Sequence, residues 1–241
     1  MKLSLAMQST LLILFTSGCV TVSEESKMSA APMDAADTRI ELGLSYMQRE
    51  QYSRAKQDFE KALAFAPKYY RSHLSMAYYF EAVGQFEQAS DTYQTALKVA
   101  PSNGEVYHNY GTFLCKRGNY DLAETMLIAA TEQPNYYQIA ESYENAGLCA
   151  LKAEQPTDAR TFFEKSLEHD PYRPNATIQL AAIEVDAGDY NKARARLLKF
   201  HHRFGYQKPS LTVLRDLEQK VGKITMAEKY QTLLDDLNND N

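Results

Sequence analysis

Apolar residues along this chain recur at spacings of three and four rather than in alternation, which predicts helices with one buried stripe and no strands. A slower rhythm lies over that pattern. Leu42-Gly43 is followed by Tyr46, Ala55, Phe59, Ala62 and Pro67, and one interval later the same places hold Met76, Ala77, Phe80, Ala89, Tyr93, Ala96 and Pro101. A third set reads Tyr110, Gly111, Leu114, Ala123, Leu127 and Ala130. After a two-residue insertion around Gln133-Pro134-Asn135 come Ala146, Gly147, Ala159, Phe163, Ser166 and Pro171, then Leu180, Ala181, Ala193 and Leu197. A last set keeps the interval with Leu214, Gly222 and Ala227, but Arg215 stands in the small place and Gln231 in the large one.

Each interval predicts two antiparallel helices. Helices approach closely only where the side chains at the crossing are small, so Gly43, Ala77, Gly111 and Gly147 are expected to meet Ala55, Ala89, Ala123 and Ala159. Tyr46, Phe59, Phe80, Tyr93 and Phe163 would fill the space between successive helices. Pro67, Pro101 and Pro171 stop the second helices, because proline lacks the N–H and clashes with the preceding turn. Arg215 and Gln231 mark a terminal unit, whose outer face no neighbour covers.

The 34-residue period and this spacing resemble the tetratricopeptide repeat (TPR), with Arg39 where that family often has Trp. The resemblance implies an all-α, right-handed α-solenoid of six TPR helix-turn-helix repeats over residues 36–241, with boundaries near 36–69, 70–103, 104–139, 140–173, 174–207 and 208–241.

The N-terminus has a different character. Lys2 precedes an apolar run from Leu3 to Phe15, shorter than the roughly 20 residues a membrane-spanning helix needs, as in a cleaved export signal over residues 1–18. Thr16-Ser17-Gly18 before Cys19 resemble the lipobox of bacterial lipoproteins, in which the cysteine becomes the acylated first residue, although the family prefers Leu where Thr16 stands. The other reading is an ordinary signal cut nearby, with Cys19 a plain thiol. Several acyl chains would anchor the protein stably, and Val20 after the cysteine favours the outer membrane. Residues 19–35 read as a lipidated flexible tether.

With 241 residues, 44% hydrophobic, the chain has material for a continuous core. A formal net charge of −5 lacks the footprint of a nucleic-acid binder. Assigning Cys19 to lipid leaves Cys115 and Cys149 as a pair in an oxidising compartment. They fall at similar heights on neighbouring first helices, so they form either a disulfide or two buried thiols. No catalytic or metal-binding constellation emerges: His201 and His202 are adjacent and expected on the surface near a helix end, while His73, His108 and His169 stand apart from ligand clusters. Neither an enzyme, a cofactor nor a small-molecule substrate is expected.

Two segments, Asn109 to Glu124 (NYGTFLCKRGNYDLAE) and Glu144 to Ala153 (ENAGLCALKA), resemble the PilF/PilW family of type IV pilus biogenesis lipoproteins, and the likeness extends over nearly the whole mature chain. That resemblance implies a pilotin on the periplasmic face of the outer membrane, which binds the pilus secretin and helps it reach that membrane and oligomerise. The competing role is a periplasmic TPR lipoprotein scaffold for outer-membrane protein assembly or cell-wall synthesis. In a TPR stack the first helices line a concave groove, whose first two units would present Ile40, Leu44 and Met47, then Arg71, Leu74 and Tyr78. This mostly apolar surface suits a hydrophobic or amphipathic segment, unless the tether or simple packing covers it. Lys192, Arg194, Arg196, Lys199 and Arg203 form a basic stretch that reads either as a solvated helix face or as a site for anionic lipid or an acidic partner.

Overall fold

The computed structural model describes residues 30–239; the export signal, Cys19 and most of the tether lie outside them. Twelve helices, and no strand among the described residues, form six antiparallel pairs. The pairs are α1 (Ala30–Gln48) with α2 (Tyr52–Phe65), α3 (Tyr70–Ala82) with α4 (Phe86–Val99), and α5 (Gly104–Lys116) with α6 (Tyr120–Thr131). Then come α7 (Ile139–Lys152) with α8 (Pro156–His169), α9 (Pro174–Asp186) with α10 (Tyr190–Phe204), and α11 (Lys208–Lys220) with α12 (Ile224–Asn239). α1 begins inside the expected tether: Pro32 sits in the first turn, where a missing N–H costs nothing, and Ala36 is fully buried.

The turns keep the same rhythm. A residue with positive φ closes the turn between the helices of each pair: Glu50, Gly84, Gly118, Glu154, Gly188 and Gly222. Four are glycine, which adopts this backbone without a Cβ penalty.

Close approach within a pair differs from the expectation in one respect. The nearest neighbour of Gly43, Gly111 and Gly147 is in each case the large side chain four places beyond the alanine. A Cβ on Gly43 would lie 2.4 Å from the ring of Phe59, and one on Gly147 would lie 2.6 Å from that of Phe163. At Gly111 the side chain of Leu127 is met first, at 2.8 Å, and the backbone oxygen of Ala123 next, at 3.0 Å. The second helix thus presses a ring or a branched chain onto the glycine, and the alanine lets the backbones come near enough for it. Ala55, Ala89, Ala123, Ala159 and Ala193 are all fully buried.

Successive pairs are joined unequally. α1 touches α3, α3 touches α5, and so on through α9 and α11, whereas among the described residues no second helix comes within 8 Å (Cα–Cα) of the next second helix. The first helices therefore form one continuous inner wall, and the second helices stand farther apart on the outer side, where the Lys192–Glu164 ion pair at 3.6 Å links α10 to α8.

Candidate protein-binding surface

The inner wall is tied across its helices. Arg71 Nη1 donates to Asp37 Oδ1 at 2.7 Å, and the Tyr69 hydroxyl shares that carboxylate at 3.1 Å. Lys116 Nζ donates to Glu81 Oε1 at 2.6 Å, and Lys220 Nζ to Asp186 Oδ1 at 2.7 Å. Between α5 and α7 the tie is covalent. Cys115 and Cys149 form a disulfide with their Cα atoms 5.7 Å apart, inside the range that such a bridge spans without backbone movement.

The two-residue insertion builds a polar cluster between the same two helices, two turns nearer their N-termini. It carries Tyr136 back over Gly104, where a Cβ would meet the ring at 2.5 Å. The Tyr136 hydroxyl lies 2.8 Å from Ser142 Oγ, which lies 2.8 Å from His108 Nδ1. Burial raises the Tyr136 phenol to about 12 and lowers the imidazole of His108 from its ordinary value. His108 is thus a satisfied core histidine, a role that its isolation in sequence did not reveal.

Of the six residues expected along the groove, three are not on it. Ile40, Met47 and Leu74 are buried, at 2%, 7% and 9% exposure. Ile40 packs with Ala62 and Ala66, Met47 with Phe59 and Met76, and Leu74 in the cluster that holds Val106. The cause is that each first helix is covered by its own second helix on one side and by the next first helix on its flank. Arg71 is half-buried, its charge neutralised by Asp37. Leu44 and Tyr78 do face solvent, at 37% and 45% exposure. They occupy equivalent places in the first two units, and the following units continue the row with Thr112, Leu148 and Ala182, all half-buried. The open part of the inner face is thus a mainly apolar row, most exposed at its N-terminal end.

The basic stretch on α10 is also resolved into parts. Arg196 donates through Nε and Nη2 to both oxygens of Glu184, at 3.0 and 2.8 Å, and Lys192 adds an ion pair at 3.3 Å. Arg194 grips Glu218 in the same two-pronged way at 2.6 and 2.9 Å. Glu184 and Glu218 are 0% and 1% exposed, and stand where earlier units place Tyr46, Phe80 and Leu114. An acid in that apolar place is the signal by which they could have been found. Arg194 and Arg196 are therefore braces within the solenoid and not part of a solvated face; Lys199 and Arg203 remain outside these pairs. His201, expected at the surface, is buried at 9%, with Nε2 lying 2.8 Å from Ser210 Oγ, while His202 is exposed.

Among the described residues no group of His, Cys, Asp and Glu suits a metal ion, and no helix is long and apolar enough to cross a membrane. Fold and surface together define a solenoid of tetratricopeptide repeats, and models of that repeat match residues 36–69, 74–124, 103–171 and 150–199. The type IV pilus assembly protein PilF of Pseudomonas aeruginosa is 31% identical over 186 residues, covering 76% of this chain and 74% of that protein. An uncharacterised protein of Haemophilus influenzae is 35% identical over 157 residues, covering 65% of this chain and 86% of its own. Among solved structures, Pseudomonas aeruginosa PilF superposes with a TM-score of 0.75 at 29% identity, covering 86% of this chain and 93% of that one. PilW, described as a widely conserved type IV pilus biogenesis factor, gives 0.71 at 26% identity, covering 83% and 91%. The chain belongs to the PilF/PilW family of tetratricopeptide-repeat proteins of type IV pilus biogenesis.

Proposed function

We propose that the protein is an outer-membrane lipoprotein and a pilotin: acylated at Cys19, it binds the type IV pilus secretin from the periplasmic side and promotes its localisation and oligomerisation. The observation that carries this reading is the kinship with PilF, together with an inner face whose open apolar positions, Leu44 and Tyr78, lie side by side in the first two repeats. Such a row takes the apolar face of an amphipathic segment, in which a few buried side chains supply most of the affinity. The protein acts by binding and catalyses nothing, as is typical of tetratricopeptide scaffolds.

Leu44→Glu with Tyr78→Glu tests the site. Both side chains are more than a third exposed, so the variant should fold while leaving secretin subunits unassembled and the cells without surface pili. Normal secretin rings in that strain would reject the site. Deletion of the whole chain tests the role: envelope fragility with intact pili would favour the scaffold reading instead. Mass spectrometry of the mature N-terminus tests the anchor, through the mass of acyl chains on Cys19.

A further inference from the structure

The outer surface of the last two repeats carries two clefts on either side of α10. One, of about 780 Å³, opens between α8, α9 and α10 beside Tyr172, Lys199 and Arg203. The other, of about 740 Å³, opens between α10 and α12 beside Leu198, Tyr206 and Lys229. His202 lines both, so the openings share a rim and form one continuous surface.

The charge of that surface is one-sided. Among the described residues Glu218 is the one carboxylate lining either cleft, and Arg194 holds both its oxygens. Lys192 and Arg196 are occupied by Glu184. Lys199, Arg203, Lys223 and Lys229 have no carboxylate in ion-pair range among the described residues. Four uncompensated cations thus stand together in a chain whose net charge is −5. Between them lie large apolar groups in the open: Tyr172 at 51%, Leu198 at 48%, Tyr206 at 50% and Met226 at 37% exposure. The Arg203 guanidinium lies 3.5 Å over the Tyr172 ring, which keeps ring and charge at the same level.

From this surface we infer that repeats five and six dock onto an anionic phospholipid surface, apart from any acyl anchor at the other end of the chain. Cations alone would fit an acidic protein equally well. Aromatic and aliphatic side chains interleaved with unpaired lysines fit the boundary between headgroups and acyl chains, where rings settle and long basic side chains reach back to phosphate. Each such cation strengthens attachment to an anionic leaflet by about fivefold.

The chain contains no tryptophan, so a single one introduced on the patch reports on it alone. Leu198→Trp and, separately, Tyr206→Trp are made in the full chain produced with its own N-terminal segment, with circular dichroism confirming unchanged helix. Each is mixed with vesicles of phosphatidylcholine with brominated acyl chains, with or without phosphatidylglycerol. Docking predicts that bromine quenches the tryptophan on the anionic vesicles, less on the neutral ones, and less again at high salt. Adding Lys199→Gln and Arg203→Gln should weaken the docked state roughly 25-fold. Flotation of the vesicles reads the acyl anchor separately: protein that floats with anionic vesicles while neither tryptophan is quenched overturns the docking and leaves the anchor intact. Protection of Lys199 from labelling in cells, without quenching on vesicles, would assign the patch to an acidic protein and also overturn it.

Discussion

Arg215 Nη1 donates to Gln231 Oε1 at 3.0 Å, and these are the two positions at which the sixth repeat departs from the others. Earlier units set a small residue on the first helix against a large apolar one on the second, as with Gly147 beneath Phe163. In the last unit both members change together. A polar pair closes the crossing, and this end of the stack, which no further helix covers among the described residues, presents groups that water can solvate. Restoring the repeat with Arg215→Gly and Gln231→Leu should make this end adhesive, giving concentration-dependent dimers by sedimentation. A variant that stays monomeric at all concentrations would show that the pair does not serve as a cap.

Gly147→Ala should destabilise the fold by about 1 to 3 kcal/mol, the usual range for overpacking. The added methyl would lie 2.6 Å from a fully buried ring that has nowhere to go. Combining it with Phe163→Leu should recover part of the loss, because the smaller chain vacates the contested space. Urea midpoints of the two variants measure this, and an unchanged midpoint for Gly147→Ala would refute the close approach.

Arg194→Met should cost about 3 kcal/mol, since it strands the carboxylate of Glu218 at 1% exposure. This is the low end of the range for buried pairs, because the Arg194 side chain retains 20% exposure. Replacing both with methionine should return most of the stability, as buried ion pairs often give little net gain over packed apolar groups. A double-mutant cycle by chemical denaturation yields the coupling, and near-additive losses would argue against it.

Stability should fall on the acid side of neutrality. Burial holds the imidazoles of His108 and His201 below their ordinary value of 6.5, and Nδ1 of His201 has no hydrogen-bond partner among the described residues to receive a proton's charge. As pH drops through about 6.5 the unfolded chain takes up these protons first. Stability present above that value is therefore lost progressively until the folded-state pKa values are passed. Denaturation midpoints at about pH 7.5 and about pH 5.5 should differ in that sense, and His201→Gln should flatten the dependence. An equal slope in the variant would remove His201 as a source.

The helical pairs were legible because one rule, a small residue set against a large one, is written five times at an interval that a two-residue insertion breaks once. The surface was less so. Whether Ile40 or Leu44 faces solvent depends on how α2 and the segment after it pack against α1, an arrangement that no single helix's stripe encodes. The same is true of Arg194 and Arg196, whose partners lie 24 and 12 residues away and belong to neighbouring helices. Tyr136 was hidden for a different reason: the insertion that breaks the repeat is the segment that delivers its ring.

The second helices, whose backbones among the described residues nowhere come within 8 Å (Cα–Cα) of the next second helix and which meet through long side chains such as Lys192 and Glu164 at 3.6 Å, give the stack an elastic side. A row of joined helices with loosely linked outer partners can bend by opening or narrowing the outer gaps, at little cost in buried contact, while the inner wall keeps its registry. A guest of somewhat different girth could then be gripped by a change of curvature spread over five junctions, with no single hinge and no repacking of any pair.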